Sequence, residues 1–154
     1  MAPEPQGLQA SRAIDDALRR ADIHPEDLCA VQAHATGTSL GDLAEARALR
    51  RSFGSVADSL PVYAPKGQLG HLLGAAGSVE AILGIQALHE GVLPQSINAD
   101  PLEPGVDLAV TTSGPVKLQA AQSERYLLKN AFGFGGHNIS LILAAPCSTA
   151  AQHN

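Results

Sequence analysis

Two histidines stand at places where a chain commonly offers reactive groups. His34 follows directly on the apolar run 28–33, and His71 ends the stretch Lys66-Gly67-Gln68-Leu69-Gly70-His71. Strand ends and loop-to-helix junctions are where α/β folds present side chains to a ligand. Either histidine alone reads as a hydrogen-bonded structural residue, because His is often half-buried. The two together, in glycine-containing surroundings, read as functional. Zinc ligation is the first chemistry to weigh, but no Cys, Asp or Glu near either histidine gives a recognised ligand spacing, so no metal is expected. Phosphate binding is the second. Gly67, Gly70, Gly74 and Gly77 match neither nucleotide-binding glycine pattern, although a helix amino end there could attract an anion. A serine hydrolase would need a G-x-S-x-G elbow, which is missing. Cys29 lies inside the apolar run and Cys147 near the end; neither has a setting that lowers a thiol pKa, so neither is read as a nucleophile.

The elements that must carry these residues follow from spacing. Leu8, Ala13, Ile14, Ala17, Leu18 and Ala21 recur at three- and four-residue steps, predicting an amphipathic helix that His24-Pro25 ends. Residues 28–33 predict a buried strand leading into His34. Asp42, with Glu45 three positions on, resembles a capping box, which predicts a helix over 43–53 stopped by Gly54. Residues 61–64 predict a short strand, and the glycines then punctuate a loop entering a helix over 75–90. Val79, Ile82, Leu83, Ile85 and Leu88 occupy more than one face of that helix, which predicts deep burial. After Pro94, Pro101 and Pro104, the alternation of Val106, Leu108 and Val110 predicts a strand. Strands over 126–130 and 138–144, joined through Gly133-Phe134-Gly135-Gly136, predict a hairpin. Alternating helices and short strands predict one α/β layered domain with a mixed sheet over 1–145, and a flexible tail over 146–154.

Composition narrows the function classes. At 154 residues, 45% hydrophobic and 16% charged, the chain suits a single globular domain, and with 3% aromatics its core must be built from Leu, Ala, Val and Ile. A formal charge of −5 and the lack of a basic stripe argue against nucleic acid as a partner. Arg47, Arg50 and Arg51 read as a solvated helix face. No run of 18 apolar residues and no basic-then-apolar start are found, so neither a membrane span nor a signal peptide is expected. With no metal or redox spacing between the cysteines, a reducing, cytoplasmic setting is the expectation.

Three segments carry a family resemblance. His34-Ala35-Thr36-Gly37-Thr38-Ser39-Leu40-Gly41-Asp42, the stretch from Lys66 through His71 to Glu80, and Asn130-Ala131-Phe132-Gly133-Phe134-Gly135-Gly136-His137-Asn138 are similar, in order and spacing, to three motifs of β-ketoacyl-acyl-carrier-protein synthases. The likeness covers nearly the whole chain. It implies the second, carboxyl-terminal half of the duplicated thiolase-like αβαβα fold. The family joins an enzyme-bound acyl group to a malonyl thioester with loss of carbon dioxide, in fatty-acid or polyketide synthesis.

The resemblance implies His34 and His71 as a pair of hydrogen-bond donors to the enolate oxygen, a task that suits neutral imidazoles. By the same resemblance Lys66 pairs with Glu80 in support of the histidines, with Thr36 and Thr38 also supporting. Phe132 and Phe134, with Gly133 and Gly135, form the glycine-rich loop, in which Phe134 is the implied gate. No cofactor is implied. The implied partners are an acyl-carrier protein bearing a malonyl or acyl phosphopantetheine thioester, a first half or partner chain bearing the nucleophilic cysteine, and a further copy in a homo-oligomer. Ala131 and His137 depart from the family's usual Ser and Thr, and His137 is either a third imidazole near the site or a strand-edge residue. Two other readings stand beside this one: a noncatalytic chain-length-factor-like partner or acyl-binding subunit, and a degradative thiolase. The thiolase reading is opposed by the lack of a cysteine in the glycine-rich loop.

Overall fold

The computed structural model describes residues 4–121, 123–133 and 135–147. The first amphipathic stretch forms α1 (Leu8–Ala21), which buries Ala10, Ile14, Ala17 and Leu18 and turns Asp16 and Arg20 outward as a 2.6 Å pair. A single 3₁₀ turn, Pro25–Asp27, leads into β1 (Leu28–Gln32), buried at every position. There follow α2 (Ser39–Phe53), β2 (Val62–Tyr63), the short α3 (Lys66–Leu69), α4 (Ala76–Glu90), β3 (Val92–Leu93), β4 (Val116–Lys117), β5 (Glu124–Phe132) and β6 (Asn138–Pro146).

Four strands make a mixed sheet in the order β2-β1-β5-β6. β1 runs parallel to β2 and β5, while β6 returns antiparallel to β5, as a hairpin requires. Parallel pairing explains why β1 is apolar without alternation, since helices must cover both of its faces. One face packs on α1 and α2 through Val31, Leu128, Ile14, Leu18 and Leu49. The other packs on α4 through Ala30, Leu127, Ala87 and Leu88. Close seating of α4 depends on Gly84, where a Cβ would fall 2.7 Å from Gln32 Oε1 and 2.9 Å from Leu143 Cδ1. β3 and β4 pair separately as a two-stranded ribbon.

Three expectations are corrected. The helix expected over 43–53 begins four residues earlier, at Ser39, and no capping box forms: Thr38 is the N-cap without a side-chain cap bond, and the Glu45 carboxylate is engaged by the backbone of residues 34 and 35. The α4 helix is not buried all round. Ile82 is 56% and Ile85 42% exposed, because the four-stranded sheet covers only the side bearing Glu80, Gly84, Ala87 and Leu88. Val106 to Val110 forms no strand: β2 offers two residues, so Val110 makes one isolated parallel bridge to Val62, and Leu108 and Val110 pack on the core as loop residues. Two of the three clustered arginines also do more than face solvent, Arg47 donating to the Pro5 carbonyl and Arg50 to Asp58. The 145/146 boundary falls inside β6, and Cys147 N–H donates to the Ser123 carbonyl; 148–154 lie outside the described residues. Among the described residues no helix is long and apolar enough to cross a membrane.

Candidate active site

β1 delivers His34 just beyond its carboxyl end, and three other elements fix the peptide on which the imidazole stands. Glu45, on α2, accepts the N–H of His34 at 2.9 Å and that of Ala35 at 2.8 Å. Asn130, on β5, donates its side-chain amide to the same carboxylate at 3.0 Å and accepts from Ser140 at 2.8 Å. Lys66, on α3, donates from Nζ to the His34 carbonyl at 2.6 Å. Both the donor and the acceptor of this peptide are therefore satisfied by side chains, as a buried strand end demands. Burial pushes the Glu45 carboxyl above its usual range, against the pull of those N–H groups.

Lys66 is also one arm of a buried ionic cluster. Its Nζ lies 2.6 Å from Glu80 Oε1, and Lys129 Nζ lies 3.1 Å from Glu80 Oε2, with all three side chains 4% exposed or less. The second imidazole completes the group: the His34 and His71 ring centroids are 5.8 Å apart and nearly perpendicular, at 88°. His71 Nδ1 accepts the N–H of Leu73 at 3.0 Å, so the ring proton of neutral His71 sits on Nε2, ready to be donated. His34 is held neutral. Burial, reinforced by the Lys66 charge, lowers its pKa to about 4, with Glu80 opposing and His71 and Lys129 adding to the depression.

His34, His71, Lys66 and Glu80 are thus brought together, and the Phe132 ring lies 5.9 Å from that of His34. Thr36 and Thr38 bond to each other at 3.1 Å on the segment leading into α2. Gly133 and Gly135 are exposed in the β5–β6 turn, where Gly133 N–H donates to the His137 carbonyl at 2.8 Å. That places exposed His137 in the connecting turn itself. Phe134 lies outside the described residues. Cys29 donates its thiol to the Tyr126 carbonyl at 3.1 Å, and burial pushes its pKa to about 11, the opposite of an activated nucleophile.

Glu45, Asn130 and Lys129 were not singled out as site residues from sequence. A lysine in the strand sequence Leu127-Leu128-Lys129-Asn130 is the signal that could have found the last, since a charge on a buried strand needs a partner. A cavity of about 320 Å³ lies toward α2, lined by Ala33, Ala35, Thr36, Asp42 and Ile97 among others, and neither imidazole is on its wall. Burial raises the Asp42 carboxyl there, against backbone N–H groups of Gly37 and Thr36.

The family model described as "Beta-ketoacyl synthase, C-terminal domain" matches residues 1–100. The chain is 44% identical over 141 residues to 3-oxoacyl-[acyl-carrier-protein] synthase 2 of Mycobacterium bovis, a match that covers 92% of this chain and 32% of that protein. It therefore spans about a third of the length of this curated relative. Among solved structures, a β-ketoacyl synthase from Burkholderia phymatum superposes with a TM-score of 0.84 at 30% identity, covering 96% of this chain and 34% of that one. A chain of the complex of the ketosynthase ApeO with its chain length factor ApeC, from Xenorhabdus doucetiae, gives 0.75 at 33% identity, covering 95% of this chain and 35% of the matched chain. The fold is accordingly one half of the thiolase-like αβαβα arrangement, a mixed sheet covered by helices.

Proposed function

The chain belongs to the family of β-ketoacyl synthase carboxyl-terminal domains, and from that premise we propose that it supplies the histidine half of a decarboxylating condensation site. The substrate is a malonyl thioester carried by an acyl-carrier protein. Cleavage of its C–C bond releases carbon dioxide and leaves the electron pair as an enolate, whose oxygen takes the negative charge. His34 and His71 donate to that oxygen. The enolate carbon then attacks the carbonyl of an acyl group held as a thioester, expelling a cysteine thiolate and forming the new C–C bond. That cysteine is provided by another segment or chain, since Cys29 is buried and held as the thiol.

The observation that carries this reading is the pair of imidazoles 5.8 Å apart, with a buried Lys66–Glu80–Lys129 cluster joined to the His34 carbonyl. Donors fixed in advance stabilise a developing oxyanion without reorganising when the charge appears. The outward side of α4, with exposed Ile82 and Ile85, and exposed Leu72 and Leu73 beside His71, offers an apolar surface on which the cysteine-bearing half can seat.

The test is carbon dioxide release from malonyl-acyl-carrier protein by this chain, alone and mixed with a cysteine-bearing first half of a β-ketoacyl synthase. Release is expected to rise on mixing, and His34→Ala and His71→Ala are each expected to lower it about 100- to 1000-fold. No release from a folded mixed complex would overturn the catalytic reading in favour of a noncatalytic partner of the chain-length-factor kind.

A further inference from the structure

Glu80 is held between two ammonium groups, Lys66 on one oxygen at 2.6 Å and Lys129 on the other at 3.1 Å. A buried carboxylate is neutralised by one cation. The second leaves the cluster with one positive charge in excess, in a place where charge is costly and where a neutral donor would satisfy the same oxygen. The Lys129 side chain is 1% exposed, on the α4 face of β5, so it has no solvated alternative.

The excess charge stands at the His34 peptide. Lys66 from α3 touches the His34 carbonyl, Glu80 comes from α4, Lys129 from β5, His71 from the segment before α4, and Glu45 from α2 holds the peptide N–H groups. Of these, Glu80 is the anion that favours a protonated imidazole, and both of its oxygens are already taken by ammonium groups.

We propose that Lys129 is a positioning residue for His34: by occupying the second oxygen of Glu80 it keeps the cluster at the His34 peptide positive, a charge that adds to the burial favouring the neutral, hydrogen-bond-donating ring. The inference rests on the reading of His34 as a neutral donor and deepens it with a residue that the three sequence motifs leave without a role. The same excess charge favours a negative oxygen forming in front of the ring. Burial and the Lys66 charge depress the His34 pKa most strongly, and Lys129 acts in the same direction.

The experiment is an NMR titration of the histidine ring C–H resonances in the full chain, with His34 assigned through His34→Gln. Lys129→Gln keeps a hydrogen-bond donor and removes the charge, Lys129→Met removes both, and Lys129→Arg keeps the charge. In the two neutral variants the His34 midpoint is expected to rise by about half a unit to one unit, the effect of one partly screened charge lost. In Lys129→Arg it stays at the wild-type position. An unchanged midpoint in a folded neutral variant overturns the proposal. Loss of the fold in both neutral variants overturns it too, since that assigns Lys129 a purely structural role. The titration needs neither substrate nor partner, so its failure is separate from failure of the decarboxylation test.

Discussion

His34 ties the chemistry of the site to the stability of the domain. Its ring is neutral in the fold down to about pH 4, whereas in the unfolded chain it gains a proton near 6.5. As the pH falls across that window the unfolded state takes up a proton that the folded state refuses, so the stability His34 contributes above pH 6.5 is lost toward pH 4. Glu45 acts in the opposite sense. Its carboxyl is raised in the fold, so its contribution is full below the unfolded value of 4.5 and declines as the pH rises. The difference between wild type and His34→Gln isolates the imidazole: urea unfolding is expected to show the wild type losing roughly 2–3 kcal/mol more than the variant between pH 6.5 and 4. His34, His71, Lys66 and Glu80 were legible because each sits in a motif whose order and spacing survive in one dimension. Lys129 and Glu45 were not, because what gives them meaning is a contact across the fold: Lys129 meets Glu80 from another element, and Glu45 abandons the local cap expected of it to receive N–H groups from residues 34 and 35.

Among the α-helices, α3 is the shortest. It seats Lys66 against both Glu80 and the His34 carbonyl, and its second residue, Gly67, lies against the 97–98 loop so closely that a Cβ would fall 1.9 Å from the Ile97 carbonyl oxygen. Backbone must move to admit a methyl group there. Gly67→Ala is expected to lower stability by about 1–3 kcal/mol in urea unfolding and to reduce carbon dioxide release by the mixed complex, through displacement of Lys66. The sequence shows glycines at 67, 70, 74 and 77 and reads them as a loop. It does not show that residues 66–69 close a helical turn, because four residues are too few for any periodicity to register. The longer elements were legible for the converse reason: α1 and β1 each hold enough residues for a pattern, whereas the loop alternation of Val106, Leu108 and Val110 imitates a strand without a partner ladder to join.

The whole molecule buries one side of α4 and leaves the other open, so apolar residues on more than one face of that helix do not mean burial all round. If that open side seats the cysteine-bearing half, Ile82→Glu with Ile85→Glu should leave the unfolding midpoint of the isolated chain nearly unchanged, since exposed substitutions shift stability by about 0.5 kcal/mol or less. The same pair should weaken assembly about tenfold or more, the worth of one or two buried isoleucines, as read by the concentration of first half needed for carbon dioxide release. The strand order has a further bearing, on how the molecule is made. β5 lies between β1 and β6, so Leu28 to Gln32 must wait for a partner almost a hundred positions downstream. During synthesis most of the chain has left the ribosome before the middle of its sheet exists, and β1, apolar on both sides, stays uncovered along one edge until residues 124–132 emerge. Folding of this domain thus depends on translation of β5 and β6, and a ribosome stalled before them would hold out an aggregation-prone strand.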